Sequence, residues 1–396
     1  MDMLKVNGSQ IINASGEVVY LRGTCIGAWL NMEDFMDNTP GSEHQLRYNA
    51  KKILGEELGE YWFDSFINHF FTSADAKYLA DNGCKVVRVP LNYRHFENDM
   101  DPYVYLQKGF DEVDRLLDIC ENAGLYVILD MHAAPGGQSS DWHCDNVMRT
   151  GLLWTTPEYR DRFVKLWGEF ARRYKERAVV AAYDILNEPM TNQILGRTGL
   201  DPAKYYEPIW PLMNSLYREV TAEIRKYDTN HILFLEGDWF SQRFVGLDAP
   251  FDDNTAYSSH NYSAIRTVSP FNPDFVETRT EEELLQAYKD EFYAQEGTQF
   301  AQKYNVPLWI SEFGLNKYQL QVFNEFGAHW TNWSYKTGGH GLSYLNPECK
   351  YIETIAPVMS KMTRIGNHGV TPARAEMLRQ INDLVQSYIK VLDDKR

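Results

Sequence analysis

Two glutamates stand at matching places in the sequence, each shortly after an apolar run. Glu188 follows residues 181–186 in an Asn-Glu-Pro motif, and Glu312 follows residues 308–311 in Ser-Glu-Phe-Gly. Two carboxyl groups held about 5 Å apart can cleave a glycosidic bond with retention of configuration, one as acid/base and the other as nucleophile. The pair therefore predicts this chemistry, provided that the fold brings both glutamates together.

The ends of the other apolar runs also carry side chains suited to binding a polar ligand. Ionisable, amide or aromatic groups follow every run but the first. The candidate binding residues are Arg88, His132, Asn187, His260, Tyr262 and Trp333. Glu236 and Asp238 follow a further run, and a ligand contact or a buried hydrogen-bonding role suits them equally.

Eight short apolar runs alternate with helical patterns and must position these side chains. The runs cover residues 19–23, 85–90, 126–130, 181–186, 231–236, 255–260, 308–311 and 329–335. Apolar strands that alternate with helices indicate an α/β protein with a parallel sheet, and at this length a closed (β/α)8 TIM barrel fits best. Reactive residues of such a barrel lie at the C-terminal strand ends. Glu188 and Glu312 are then expected to face each other across the barrel mouth.

The chain is predicted to form a single domain over residues 1–396, since no repeat, low-complexity tract or linker divides it. Residues 1–18 are expected to form an N-terminal hairpin. Residues 29–61 are expected to form a long insertion at the active face, and residues 372–392 a C-terminal helix. No Gly-x-Gly-x-x-Gly motif follows an early strand, which argues against a dinucleotide site.

The composition excludes several classes of protein. The 396 residues are 44% hydrophobic and 24% charged, which excludes a largely disordered chain. No apolar run approaches the roughly 20 residues of a membrane-spanning helix. The net charge of −16 is unsuited to binding nucleic-acid phosphates. The start of the sequence shows no signal-peptide pattern, so a cytoplasmic location is expected.

No cofactor and no metal are expected. The five cysteines are widely spaced and match neither a disulfide framework nor a zinc motif. His132, His143 and His260 are predicted near the barrel mouth, but they come from separate strands and loops without the i, i+4 spacing of a helical metal site. Metal catalysis is therefore a weak alternative.

The ordered set of motifs resembles glycoside hydrolase family 5, a family of (β/α)8 retaining glycosidases. The matching positions are Arg88 in Val-Arg-Val-Pro, His132 in Asp-Met-His, Asn187 and Glu188 in Asn-Glu-Pro, His260, Tyr262, Glu312 and Trp333. The match extends from about residue 20 to residue 336. The resemblance implies that Glu188 is the acid/base and Glu312 the nucleophile.

Elementary electrostatics agrees with these two roles. A nucleophilic carboxylate must stay ionised, and Arg88 and Tyr262 could supply a cation and a hydrogen-bond donor to it. An acid must hold its proton near neutral pH, which partial burial and the charge of Glu312 would favour at Glu188.

The remaining candidates would bind the sugar. Asn187, beside the acid, is placed to hydrogen-bond the sugar 2-hydroxyl, a contact that strengthens in the transition state. His132 and His260 could bind hydroxyl groups of the same ring or position Glu188. Trp333 offers a flat apolar face for the C–H face of the sugar.

The sequence around the first strand and the insertion resembles exo-acting members of the family. The expected substrate is a short oligosaccharide or glycoside, and the favoured activity is that of a β-mannosidase acting on a mannosyl-β-1,4-linked disaccharide such as Man-GlcNAc. A β-glucosidase or exo-β-glucanase, an endo-β-1,4-glucanase with an open cleft, and a non-catalytic sugar-binding barrel are the alternatives. Neither nucleic acid nor membrane is an expected partner, and the sequence leaves the oligomeric state open.

Overall fold

The computed structural model describes residues 1–33, 42–192, 206–265 and 277–336, with Glu376, Arg379 and Asp383 beyond them and without the side chains of His69 and Trp142. The predicted C-terminal helix over 372–392 lies outside the described residues apart from those three. The segment 34–41 of the predicted insertion lies outside them as well.

Twelve short strands are present in the described part of the chain. They are β1 (Lys5–Asn7), β2 (Gln10–Ile12), β3 (Arg22–Cys25), β4 (Val86–Asn92), β5 (Glu97–Asn98), β6 (Asp101–Tyr105), β7 (Tyr126–Ala133), β8 (Val180–Asp184), β9 (Ile232–Glu236), β10 (Thr255–His260), β11 (Leu308–Glu312) and β12 (His329–Asn332). Eight of them close a parallel barrel in the order β3, β4, β7, β8, β9, β10, β11, β12, with β12 paired to β3. The predicted (β/α)8 barrel is thereby confirmed.

Nine α-helices of at least nine residues, all in the described part of the chain, surround or adjoin the barrel. They are α1 (Glu43–Leu54), α2 (Glu56–Phe70), α3 (Ser73–Asp81), α4 (Gln107–Ala123), α5 (Pro157–Tyr174), α6 (Trp210–Arg225), α7 (Glu281–Ala294), α8 (Glu296–Tyr304) and α9 (Lys317–Phe326). Local sequence explains their ends. Thr72 and Asp75 form a reciprocal capping box at the start of α3, and α4 ends at Gly124, whose φ of 75° suits glycine. No helix among the described residues has the length and apolar character to cross a bilayer.

The predicted insertion over 29–61 contains helical structure. It holds α1 and the start of α2, and α2 buries Trp62, Phe63, Phe66 and Phe70 along one side. The aromatic residues of this stretch therefore recur at helical spacing, which packs them against the barrel.

Two apolar clusters hold the architecture together. One lies between the strands and the surrounding helices. The other fills the lower barrel interior, where Leu4, just before β1, and Ile11 of β2 cluster with Phe234 and Trp309. Because the lower interior is filled with apolar side chains, polar groups at the C-terminal strand ends occupy the opposite end of the barrel.

Candidate active site

Arg88, on β4, is the centre of a buried polar network inside the upper barrel. Its guanidinium lies within 3.3 Å of carboxylate oxygens from four other strands and 5.7 Å above the ring of Trp309. The four acids, with the N···O distance to Arg88, are Asp130 at 3.1 Å, Asp184 at 3.0 Å, Glu236 at 3.3 Å and Glu312 at 2.5 Å. Arg88 and Glu312 are predicted site residues, whereas the sequence assigned no role to Asp130 or Asp184.

Arg88 alone does not balance four buried carboxylates, and the imidazoles of His132 and His260 lie against Asp130 and Glu236. Burial, followed by the charge of Glu236, raises the pKa of Asp184 well above its usual value, which favours its protonated form. Burial raises the pKa of Glu236, but His260 and Arg88 outweigh burial and lower the pKa below its usual value. Glu236 therefore has the buried hydrogen-bonding role that the sequence had left as one of two possibilities.

Arg88→Met is expected to destabilise the protein by about 3–5 kcal/mol, because the substitution leaves buried carboxylates without their cation. Urea denaturation of the parent and variant measures the difference. Arg218→Met is the matched control, since the partly exposed Arg218 pairs with Asp248 at the surface, and it should cost less than about 1 kcal/mol. Equal losses in the two variants would contradict a stabilising role for the buried network.

Glu312 is held by two donors of different kinds. Arg88 Nη1 donates to Glu312 Oε1 at 2.5 Å, and the Tyr262 hydroxyl donates to Oε2 at 2.8 Å. Tyr262 is about half exposed, whereas Glu312 is almost fully buried. Both contacts are hydrogen bonds to the carboxylate oxygens, one of them charge-assisted, and together they fix the orientation of the carboxylate.

Glu188 is held by two imidazoles. Its Oε1 lies 2.7 Å from His260 Nδ1 and its Oε2 lies 3.3 Å from His143 Nδ1. The backbone of Glu188 has a φ of 45°, in the left-handed region, and its N–H donates to Glu236 Oε2 at 2.8 Å. A non-glycine residue pays a conformational cost there, which this hydrogen bond helps to offset.

The protonation of Glu188 differs from the sequence expectation. Burial raises the pKa of Glu188, but His260 and His143 outweigh burial and hold it at about 2. Burial lowers the pKa of His260, while Glu312, Glu236 and Glu188 raise it well above its usual value. Both shifts favour the proton on His260, because the histidines rather than the charge of Glu312 dominate the surroundings of Glu188.

The two glutamates come close enough to act on one bond. Single ligand atoms of Glu188, His260 and Glu312 all lie within 4.8 Å of one another, which matches the carboxylate spacing of retaining glycosidases. Such a cluster could in principle bind a cation. However, the Arg88 guanidinium contacts Glu312 directly and opposes a second positive charge there.

One side of the site is formed by Asn187, His132 and Trp333. Asn187 Oδ1 accepts from Arg88 Nη2 at 2.7 Å, and its Nδ2 lies 3.3 Å from His132 Nε2. The imidazole of His132 is nearly parallel to the Trp333 ring, with 5.3 Å between centroids. Burial lowers the pKa of His132, but Asp130 and then Glu33 raise it to about 9. The structure thus brings these three predicted residues together, with one face of Trp333 against His132.

Besides Asp130 and Asp184, two further residues of the site were not among the predicted site residues. Glu33, from the insertion, is buried with its Oε1 3.0 Å from His132 Nε2. His143, from the loop after β7, contacts Glu188. Neither ends an apolar run, so reading the strand ends could not find them. Their sequence signals are weaker than a position at a strand end. Glu33 comes shortly after the first strand, and His143 was noted only as a histidine near the barrel mouth.

Comparison with known proteins decides the family. A family model described as Cellulase (glycosyl hydrolase family 5) matches residues 38–339. The chain belongs to glycoside hydrolase family 5. It is therefore a glycoside hydrolase, and the fold and carboxylate pair are those of a retaining β-glycosidase.

Two curated relatives of this family 5 enzyme differ in specificity. The chain is 33% identical over 390 residues to a beta-xylosidase from Phanerodontia chrysosporium, which covers 92% of the chain and 77% of the relative. It is 29% identical over 226 residues to Endoglucanase C of Acetivibrio thermocellus, which covers 55% of the chain and 58% of that protein.

Solved structures share the fold of the enzyme. A beta-glucanase from Saccharophagus degradans in complex with cellotetraose has a TM-score of 0.52 at 16% identity over 85% of each chain. A hyperthermophilic endo-beta-1,4-glucanase in complex with substrate has a TM-score of 0.54 at 21% identity, over 72% of this chain and 89% of that one. At these identities the likeness is one of fold.

Proposed function

We propose that this family 5 enzyme is a retaining exo-β-glycosidase that removes one β-linked sugar from short oligosaccharides by double displacement. Glu312 is the nucleophile and Glu188 the acid/base. The observation that carries these roles is the difference between the two carboxylates. Glu312 accepts hydrogen bonds from the Arg88 guanidinium and the Tyr262 hydroxyl, whereas Glu188 shares a proton with His260.

In the first step Glu312 attacks the anomeric carbon while the leaving oxygen takes a proton from Glu188. That proton moves from His260 to Glu188 Oε1 across their 2.7 Å hydrogen bond. In the second step Glu188 acts as a base towards a water molecule, which displaces Glu312 from the sugar. Two inversions give net retention.

The glycone is bound on the side of Asn187 and His132. The Arg88 contact fixes the Asn187 amide with its Nδ2 directed towards His132, and the amide nitrogen has a second N–H that can donate to the 2-hydroxyl of the sugar. Because this hydrogen bond strengthens as positive charge develops at the anomeric carbon, it lowers the barrier to both steps.

Exo action is supported by the contacts of the insertion. Glu33 reaches His132 from the insertion, and Asn31 Nδ2 donates to the His143 carbonyl at 3.2 Å. Met32 N donates to Glu43 Oε2 at 3.0 Å, which ties the segment to α1. The insertion thus contacts both the His132 side and the His143 side of the site. We infer that it limits the pocket to one terminal sugar, whose hydroxyl groups Glu33 binds.

Glu33→Gln is expected to lower kcat/KM for a terminal β-glycoside about 10- to 100-fold, since it replaces a hydrogen-bonding carboxylate in a buried site with an amide. Steady-state kinetics on one disaccharide measures the change. Glu57→Gln, an exposed position of the same insertion, is the matched control and should resemble the parent. Equal rates in the two variants would exclude glycone binding by Glu33.

The identity of the glycone is tested with a panel of nitrophenyl β-glycosides and disaccharides. The β-xylosidase relative favours a β-xyloside or the related β-glucoside, and we expect the highest kcat/KM there. The mannosyl-β-1,4-linked disaccharide predicted from the sequence remains in the panel, as the cytoplasmic location remains a prediction. Rapid cleavage of long β-1,4-glucan without cleavage of disaccharides would support the endoglucanase alternative. Binding without turnover would support the non-catalytic barrel.

A further inference from the structure

A tight loop over residues 238–243, here called the aromatic loop, follows β9 at the active end of the barrel. Three consecutive non-glycine residues in it have left-handed backbones: φ is 53° at Trp239, 51° at Phe240 and 59° at Ser241. Bulky side chains rarely adopt this conformation. Such strain persists only where surrounding contacts impose it, and it is concentrated at functional sites.

The contacts that impose this conformation come from both ends of the loop. Asp238 N donates to the Arg243 carbonyl and Arg243 N to the Asp238 carbonyl, both at 2.9 Å. The buried Asp238 carboxylate accepts from Thr191 Oγ1 at 2.5 Å and from Trp239 N at 2.6 Å, and it also accepts from the Tyr206 hydroxyl. The base of the loop is therefore fixed to the segments that follow β8 and β9.

The far end of the loop is fixed to the barrel wall. Ser241 Oγ donates to the Ser258 carbonyl at 2.9 Å, and Ser259 Oγ donates to the Ser241 carbonyl at 3.0 Å. Between these two anchors stand Trp239 and Phe240, whose side chains are partly exposed. The anchors thus fix the backbone that carries two adjacent aromatic rings.

The Phe240 ring lies on the acid/base side of the site, and Trp239 is its neighbour in the loop. The Phe240 ring is 6.3 Å from the ring of His143, at an interplanar angle of 69°, and His143 Nδ1 is 3.3 Å from Glu188 Oε2. Trp239 packs edge-on against the buried ring of Tyr206, with 4.5 Å between centroids.

We propose that Trp239 and Phe240 of the aromatic loop form the aglycone subsite, which binds a leaving group with a flat apolar face. Suitable groups are the C–H face of a second sugar or an aryl ring. This inference rests on the proposed function, in which Glu188 protonates the leaving oxygen. The aglycone must then lie beside Glu188, where the loop presents its rings.

The same subsite must bind an acceptor when the glycosyl-enzyme is attacked by a sugar hydroxyl in place of water. In that step the acceptor oxygen forms a bond to the anomeric carbon, the bond to Glu312 breaks, and Glu188 takes the acceptor's proton. An experiment that starts from the glycosyl-enzyme therefore measures acceptor binding separately from the formation of that intermediate.

The test follows the recovery of a trapped glycosyl-enzyme. A 2-deoxy-2-fluoro-β-glycosyl fluoride of the preferred glycone traps the enzyme, and recovery of activity is then timed with and without a phenyl β-glycoside as acceptor. In Phe240→Ala and Trp239→Ala, the ratio of acceptor-stimulated to water-driven recovery should fall about tenfold. Phe240→Tyr keeps the ring and should retain the ratio. Tyr227→Ala, a partly exposed tyrosine after α6, is the control.

Each outcome is decisive because only the trapped, folded fraction is measured. A ratio equal to that of the parent in both alanine variants would overturn the aglycone subsite, as would an equal loss of water-driven and acceptor-stimulated recovery. Failure of the parent enzyme to form a trapped species would instead overturn the proposed function itself, and would appear before any loop variant is compared.

Discussion

Glu312→Ala is expected to lose at least about 10,000-fold in kcat on every substrate, because no other group can form the glycosyl-enzyme. The cavity left by the side chain faces the anomeric carbon and adjoins Arg88 and the Tyr262 hydroxyl, which can hold a small anion. Added azide should therefore restore turnover through one displacement. A single inversion gives the α-glycosyl azide.

A matched control separates this loss from general damage to the protein. Glu281→Gln removes an exposed carboxylate at the start of α7, paired with Lys317 at 2.5 Å, and should keep the parent's rate. Rates are measured with a nitrophenyl glycoside, and the azide product is identified by proton NMR. Appreciable turnover by Glu312→Ala without azide would exclude Glu312 as the nucleophile.

Glu188→Ala should show a loss that depends on the leaving group. A poor leaving group needs the proton, so its cleavage should slow by about 100- to 10,000-fold. A dinitrophenyl glycoside needs no proton, so it should still form the glycosyl-enzyme, which then accumulates because no base activates water. Azide attack on this intermediate gives the β-glycosyl azide.

The comparison of two leaving groups checks the role of Glu188 directly. A pre-steady-state burst of dinitrophenol, followed by slow turnover, is the expected signature of the variant. The opposite azide anomers from the Glu188 and Glu312 variants distinguish the two carboxylates. An equal loss on both leaving groups, or an α-azide from Glu188→Ala, would contradict the acid/base assignment.

Much of this arrangement could be predicted because it follows from strand order. Apolar runs identify barrel strands, and a parallel barrel gathers their C-terminal ends at one mouth, so Glu188 and Glu312 had to meet. The β10–β11 register then places His260 level with Glu312. These relations depend on the spacing of apolar residues and on the order of the strands, and both can be derived from short stretches of sequence.

Other features depend on packing between distant segments. The contact of Glu33 with His132 joins residues 99 apart, and the insertion that carries Glu33 had no strand to position it. The proton on His260 arises from the summed charges around a buried group, which no motif encodes. The left-handed backbone at Trp239 and Phe240 lacks the glycine or asparagine that usually marks such turns.

Labelling of the nucleophile tests the central claim most directly. The enzyme is treated with a 2-deoxy-2-fluoro-β-glycosyl fluoride, and the modified peptide is identified by proteolysis and mass spectrometry. We predict one fluoroglycosyl group per chain, attached to Glu312, whose carboxylate Arg88 and Tyr262 hold beside Glu188. A label on Glu188, Glu236 or another carboxylate would contradict the assignment on which the mechanism rests.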